Sequence, residues 1–164
     1  MSELNKQLIE QSTFFGKSTN MKTSTADAAI RALMKQWTDA VRTKDIDKLI
    51  AYYATDVVVF DLLPPLEFVG AAHYRQNWVA WFASWQGLIG YEMRDLTITA
   101  GNEVAFSRSL NHITGSRTDG EKNDVWVRAT VCFRKIDGQW KVTHEHMSVP
   151  YDMETRKASL DLKP

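Results

Sequence analysis

The chain has 164 residues, 44% hydrophobic and 24% charged, ordinary figures for a single globular domain with a real core. Its 20 basic and 20 acidic residues balance to a net charge of +0, so the basic surplus that neutralises phosphates is missing and no nucleic-acid partner is expected. No apolar run is long enough to span a bilayer, the first residues do not read as a signal peptide, and a lone cysteine, Cys132, excludes an internal disulfide and a cysteine-rich zinc site. These features predict a cytoplasmic protein with no membrane partner.

Residues 1–20 stand apart, with weak periodicity and a linker-like GKSTN, and read as an N-terminal extension, flexible or docking. A single domain is expected over 21–164. Ser24 with Asp27 resembles a capping box. Ile30, Leu33, Met34, Trp37 and Val41 then repeat at helical spacing. Asp45 suits the cap of a second helix, with Ile46, Leu49, Ile50 and Tyr53 as its apolar face. The β-branched run DVVVFD over 56–61 predicts the first strand, and Pro64-Pro65 ends it. After Gly70 a third helix is predicted, with Tyr74, Trp78, Trp81, Phe82 and Trp85 on one face.

The remainder reads as strands over 91–99, 103–116, 125–136 and 139–149. A parity shift near Arg94-Asp95 suggests a bulge, and Gly101-Asn102 and Asp137-Gly138 are hairpin signals. Helices that precede a meander cannot build a doubly wound parallel sheet, so the expected class is α+β. Three N-terminal helices would lie against a cone-shaped, curved antiparallel sheet whose open end forms a pocket.

A two-residue turn at Asp137-Gly138 would pair Thr130 with Glu145 and Arg128 with Met147. One face of that hairpin then carries Trp126, Arg128, Thr130, Cys132, Thr143, Glu145 and Met147. The other carries Val127, Ala129, Val131, Phe133, Trp140, Val142, His144 and His146. Either the more apolar face turns to the core, or the mixed face lines the pocket and the apolar one meets a second copy in a homodimer. His144 and His146 share one side of a strand and would hold a metal only with a third ligand such as Asp61, His112 or His73. The alternative is a pair of hydrogen-bonded histidines, and no metal or other cofactor is expected.

The segment WTDAVRTKDIDKLIAYYATDVVVFD over 37–61 resembles the start of the ketosteroid isomerase and nuclear transport factor 2 superfamily. GQWKVTHEHMSVP near the C-terminus resembles the last strand of its SnoaL-like, polyketide cyclase-related members and of the kinase association domain. The resemblance covers roughly residues 24–151 and implies an NTF2-like, cystatin-like fold. It implies that Asp61 stands where the isomerases place their catalytic base. Trp37 stands at the position of an oxyanion-holding tyrosine, and Thr130 near that of a protonated aspartate; both depart from the pattern, although each can donate a hydrogen bond.

A carboxylate flanked by Phe60, Leu62 and Leu63 in an aromatic pocket is desolvated, which suits a proton acceptor. The pocket is expected to be lined by Trp37, Tyr74, Trp78 and Trp126, with Arg128, Thr130, Glu145 and Met147 completing it. The function read from these residues is binding of a small hydrophobic or carbonyl-containing molecule. With Asp61 as general base, the reaction is a cofactor-independent isomerisation, cyclisation or dehydration. The alternatives are a strand-end aspartate that only caps a turn, and a non-catalytic ligand-binding or oligomerisation module.

Overall fold

The computed structural model describes residues 25–164; the extension read over 1–20 and the Ser24 cap lie outside the described residues. Helix α1 (Thr25–Thr43) buries Ile30, Leu33, Met34, Trp37 and Val41, the stripe that the spacing predicts. Helix α2 (Ile46–Ile50) opens at Asp45, whose Oδ1 accepts the Lys48 amide at 3.0 Å. Tyr53 does not extend that helix. The chain turns at Ala51-Tyr52, and Tyr53 begins strand β1 (Tyr53–Phe60). A short β2 (Phe68–Val69) leads into α3 (Ala71–Ala83). Tyr74, Trp78 and Phe82 form its buried face. Trp85 lies beyond that helix, which is capped at Ser84, and it opens β3 (Trp85–Ala100) with its ring 5.1 Å from Trp81.

Strands β4 (Val104–Arg117), β5 (Lys122–Ile136) and β6 (Gln139–Ser148) complete the meander, and β7 (Tyr151–Asp152) pairs with β8 (Lys157–Ala158) in a small hairpin. The main sheet has six strands in the order β2-β1-β6-β5-β4-β3, with only β1 and β6 parallel. The class is α+β, with the helices ahead of a curved, mainly antiparallel sheet, as the element order implies. β3 slips register between Arg94 and Thr97, with Asp95 at φ 57°, so the bulge falls where the parity shifts. Asp137 and Gly138 take φ 50° and 78°, the positive values that a two-residue hairpin turn needs.

The β5–β6 pairing departs from simple counting. Ile136 faces Gln139, but the register jumps between Cys132 and Phe133, and Thr143 is left over. Thr130 therefore pairs with His146 and Val131 with Glu145, whereas an unbroken count pairs Thr130 with Glu145. The extra residue reverses the parity of β6 downstream of Thr143. Glu145 and Met147 turn inward beside Val127, Ala129, Val131 and Phe133, all buried. His144 and His146 go outward with Arg128 and Thr130. Neither proposed assignment of whole faces holds; each face is a composite.

Candidate functional site

The inner sheet face, α3 and the chain after β1 enclose a cavity of about 520 Å³. That lies inside the usual range for small-molecule sites, roughly 300–1,000 Å³. Its walls are aromatic and aliphatic: Trp78, Trp81, Trp85 and Tyr91, with Ile113, Val127 and Met147 across from them. Gly115 makes room for one wall, because a Cβ there would meet the Trp85 ring at 3.1 Å. Trp78 and Trp85 are both buried, and neither indole N–H finds an acceptor among the described residues. An unmade bond of this kind costs about 1–3 kcal/mol.

Asp61 follows the last residue of β1 and lines the cavity with Leu62, Leu63, Tyr74 and Asn77. One oxygen accepts the Tyr74 hydroxyl at 2.8 Å and Asn77 Nδ2 at 3.2 Å; the other accepts the Leu63 amide at 3.2 Å. Asp61 thus caps its turn and also belongs to the cavity. It has no salt-bridge partner among the described residues. Burial first, then the negative charges of Glu145 and Asp61, keep the Tyr74 phenol well above its ordinary value, so it remains a donor.

A second carboxyl lies deeper. Glu145 is 3% exposed and accepts the Tyr53 hydroxyl at 2.7 Å; Tyr53 in turn accepts the Trp37 indole N–H at 3.0 Å. Burial raises the Glu145 carboxyl to about 7, the Tyr53 bond opposes that rise, and the Asp61 charge adds to it. Ser109 donates to Asn111 Oδ1 at 2.8 Å, which orients the amide so that Asn111 Nδ2 donates to the Tyr91 hydroxyl at 2.9 Å. Tyr91 lines the cavity, and its hydroxyl is the acceptor of this bond, not the donor. Burial, then Glu145, holds this phenol above its usual range and protonated.

Among the residues expected to line a pocket, Asp61, Tyr74, Trp78 and Met147 meet at the cavity. Trp37 and Glu145 lie behind it, joined through Tyr53. Trp126, Arg128 and Thr130 do not join them. Trp126 stacks on His112 at 4.4 Å, and Arg128 and Thr130 are exposed on the sheet's opposite face, because the extra residue in β6 separates their parity from that of Glu145. His144 binds the Val58 carbonyl at 2.8 Å, and both histidines of the H-x-H pack edge-on to Phe60, at 4.8 and 5.8 Å. Among the described residues no three His, Cys, Asp or Glu side chains gather at metal-binding spacing. Sequence reasoning missed Asn77, one helical turn from Tyr74, and Arg117, which shares strand parity with Ile113; both were signalled by spacing.

The SnoaL-like domain family matches residues 30–152. The chain belongs to this family. An NTF2-like protein of unknown function from Pseudomonas putida KT2440 is 41% identical, with a TM-score of 0.78, over 85% of this SnoaL-like chain and 96% of that one. A ketosteroid isomerase-like protein from Erwinia carotovora atroseptica SCRI1043 is 23% identical with a TM-score of 0.64, over 74% of this chain and 93% of that one. The association domain of C. elegans CaMKII is 17% identical with a TM-score of 0.59, over 73% and 92%. The latter two likenesses show the fold alone. No curated protein matches the chain. Among the described residues no helix is long and apolar enough to cross a membrane.

Proposed function

We propose that this SnoaL-like chain binds a small apolar or carbonyl-containing molecule in the cavity, and that Asp61 is the general base of a cofactor-independent proton transfer of isomerase, cyclase or dehydratase type. The observation that supports it is Asp61 itself: a carboxylate on an aromatic cavity, fixed by three donors and paired with no cation among the described residues. Fixing the base before substrate arrives removes orientational freedom from the reaction step. Proton abstraction next to a carbonyl leaves electrons on the carbonyl oxygen, and that oxygen needs a donor. Tyr91 is suited to the role, since its hydroxyl is the acceptor of the Asn111 bond, not the donor. Trp37, which the family resemblance places in that role, has its N–H committed to Tyr53.

The test is turnover across a panel of cyclic and aromatic carbonyl compounds, with ligand-induced thermal shifts measured alongside. Asp61→Asn should lower kcat/KM by about 100-fold or more while the thermal shift persists. Tyr91→Phe should lower kcat by roughly 100-fold. Identical shifts in wild type and Asp61→Asn, with turnover in neither, would leave a ligand-binding module in place of an enzyme.

We infer also a homodimer through the outer sheet face. There Phe106 is 51% exposed, beside Cys132 and His144 in register, and Phe60 projects one strand further on. Exposed phenylalanine rings on a sheet face, such as Phe106 and Phe60, mark an unfinished surface. Phe106→Asp should shift the molar mass from dimer to monomer in light scattering, and a wild-type monomer at high concentration would refute the inference.

A further inference from the structure

We infer that the ligand of this cavity is an aromatic carboxylate, bound with its anionic group at Arg117 and its apolar ring body directed toward Asp61. The inference rests on the small-molecule reading of the cavity above and names the ligand class. It does not require that Asp61 be catalytic.

The cavity has two chemically different ends. Asp61 closes one of them, with Tyr74 and Asn77. At the other, the ends of β4 and β5 place Arg117, Glu121 and Lys122, so two cations outnumber one carboxylate. β4 lies three positions from β1 in the sheet order, on the order of 14 Å along a flat sheet and less across a curved one. An anionic group entering the cavity is repelled by Asp61 and attracted to the opposite rim. This polarity orients a ligand before any contact forms.

Arg117 is prepared for such a group. Its guanidinium lies 4.8 Å from the centre of the Trp85 ring and makes no ion pair among the described residues. Stacking on an indole fixes the plane of the fork, and its N–H groups keep their donor capacity for a carboxylate. Lys122 is more loosely suited, with Nζ on Ser116 Oγ at 2.6 Å. The same Trp85 ring packs close against Gly115 of β4, where a Cβ would meet it at 3.1 Å. The wall between the two ends is made of Trp78, Trp81 and Tyr91, which match a planar ring body.

The experiment uses two probes of nearly the same shape, 2-naphthoate and 2-naphthamide, titrated calorimetrically into the full chain. Wild type should bind the naphthoate about tenfold tighter, the scale of one charge-assisted bond. Arg117→Gln should abolish that preference, Arg117→Lys should keep part of it, and Arg128→Gln on the opposite face should leave it intact. Asp61→Asn should also retain the preference, whether or not it affects turnover; failure of the base and failure of the anion site are thereby separated. Equal affinity for the two probes, tighter binding of the amide, no measurable binding of either, or a preference that survives Arg117→Gln in a folded variant would each overturn the inference.

Discussion

The molecule holds two carboxyl groups by the same device, a tyrosine hydroxyl at 2.8 Å from Asp61 and at 2.7 Å from Glu145, and treats them differently. Asp61 lies on a cavity and has two further donors, Asn77 and the Leu63 amide. Glu145 is sealed beneath it and has Tyr53. The contrast teaches that the partner alone does not set the chemistry. A buried carboxyl with one donor favours its neutral form, and such a group stiffens the core as an acid. A half-open carboxyl with several donors remains available to a ligand. Trp78 stands between the two, edge-on to Trp37 at 5.7 Å and to Tyr74 at 5.8 Å.

Trp78→Ala strikes both sites at once, and it is the change expected to cost most, about 3–5 kcal/mol in urea unfolding. If the loss is below about 1 kcal/mol, the two sites do not share the support described. Next in size is a pH effect specific to the deep site. The folded chain keeps the Glu145 proton up to about pH 7, whereas the ordinary value is 4.5. Between those values the native state binds more protons than the unfolded state. The stabilisation is therefore full below pH 4.5 and is lost as pH rises through about 7, on the order of 3 kcal/mol in all. Glu145→Gln should flatten that slope in a urea series across the same pH window. An unchanged slope would show that Glu145 does not carry it.

Smaller effects separate the two tyrosines. Tyr53→Phe deprives a buried carboxyl of its donor and the Trp37 indole of its acceptor, for a loss of about 1–3 kcal/mol. Tyr74→Phe leaves Asp61 two donors and should cost nearer 1 kcal/mol. Equal losses would mean that burial does not distinguish the sites as described.

Much of the fold was legible. The helical stripe from Ile30 to Val41, the Asp45 cap, the bulge by Asp95 and the Asp137-Gly138 turn are local matters, set by spacing and by which residues tolerate positive φ. The place of Asp61 at the end of the first strand was legible for the same reason. The composition of the site was less so. Strand parity that runs straight through Thr143 puts Arg128 and Thr130 beside Glu145, and nothing in the sequence around Thr143 signals a bulge. Tyr53 fits a helical face equally well, because a five-residue helix and a strand start share the same apolar spacing over so short a span. That β1 lies parallel against β6, bringing Tyr53 to Glu145 across 92 positions, is a long-range event that no local pattern announces.

Thr143 also determines which changes of length the last strand can absorb. A chain lacking that single residue would form an uninterrupted ladder with every later side chain still on its present side. Losing any one residue between His144 and Glu145 inclusive would instead send Met147 out of the cavity unless Thr143 entered the ladder to compensate. The leftover residue is thus a spare position in the reading frame of the strand. A relative shorter by one residue there can keep the same buried acid, the same cavity wall and the same outer histidines.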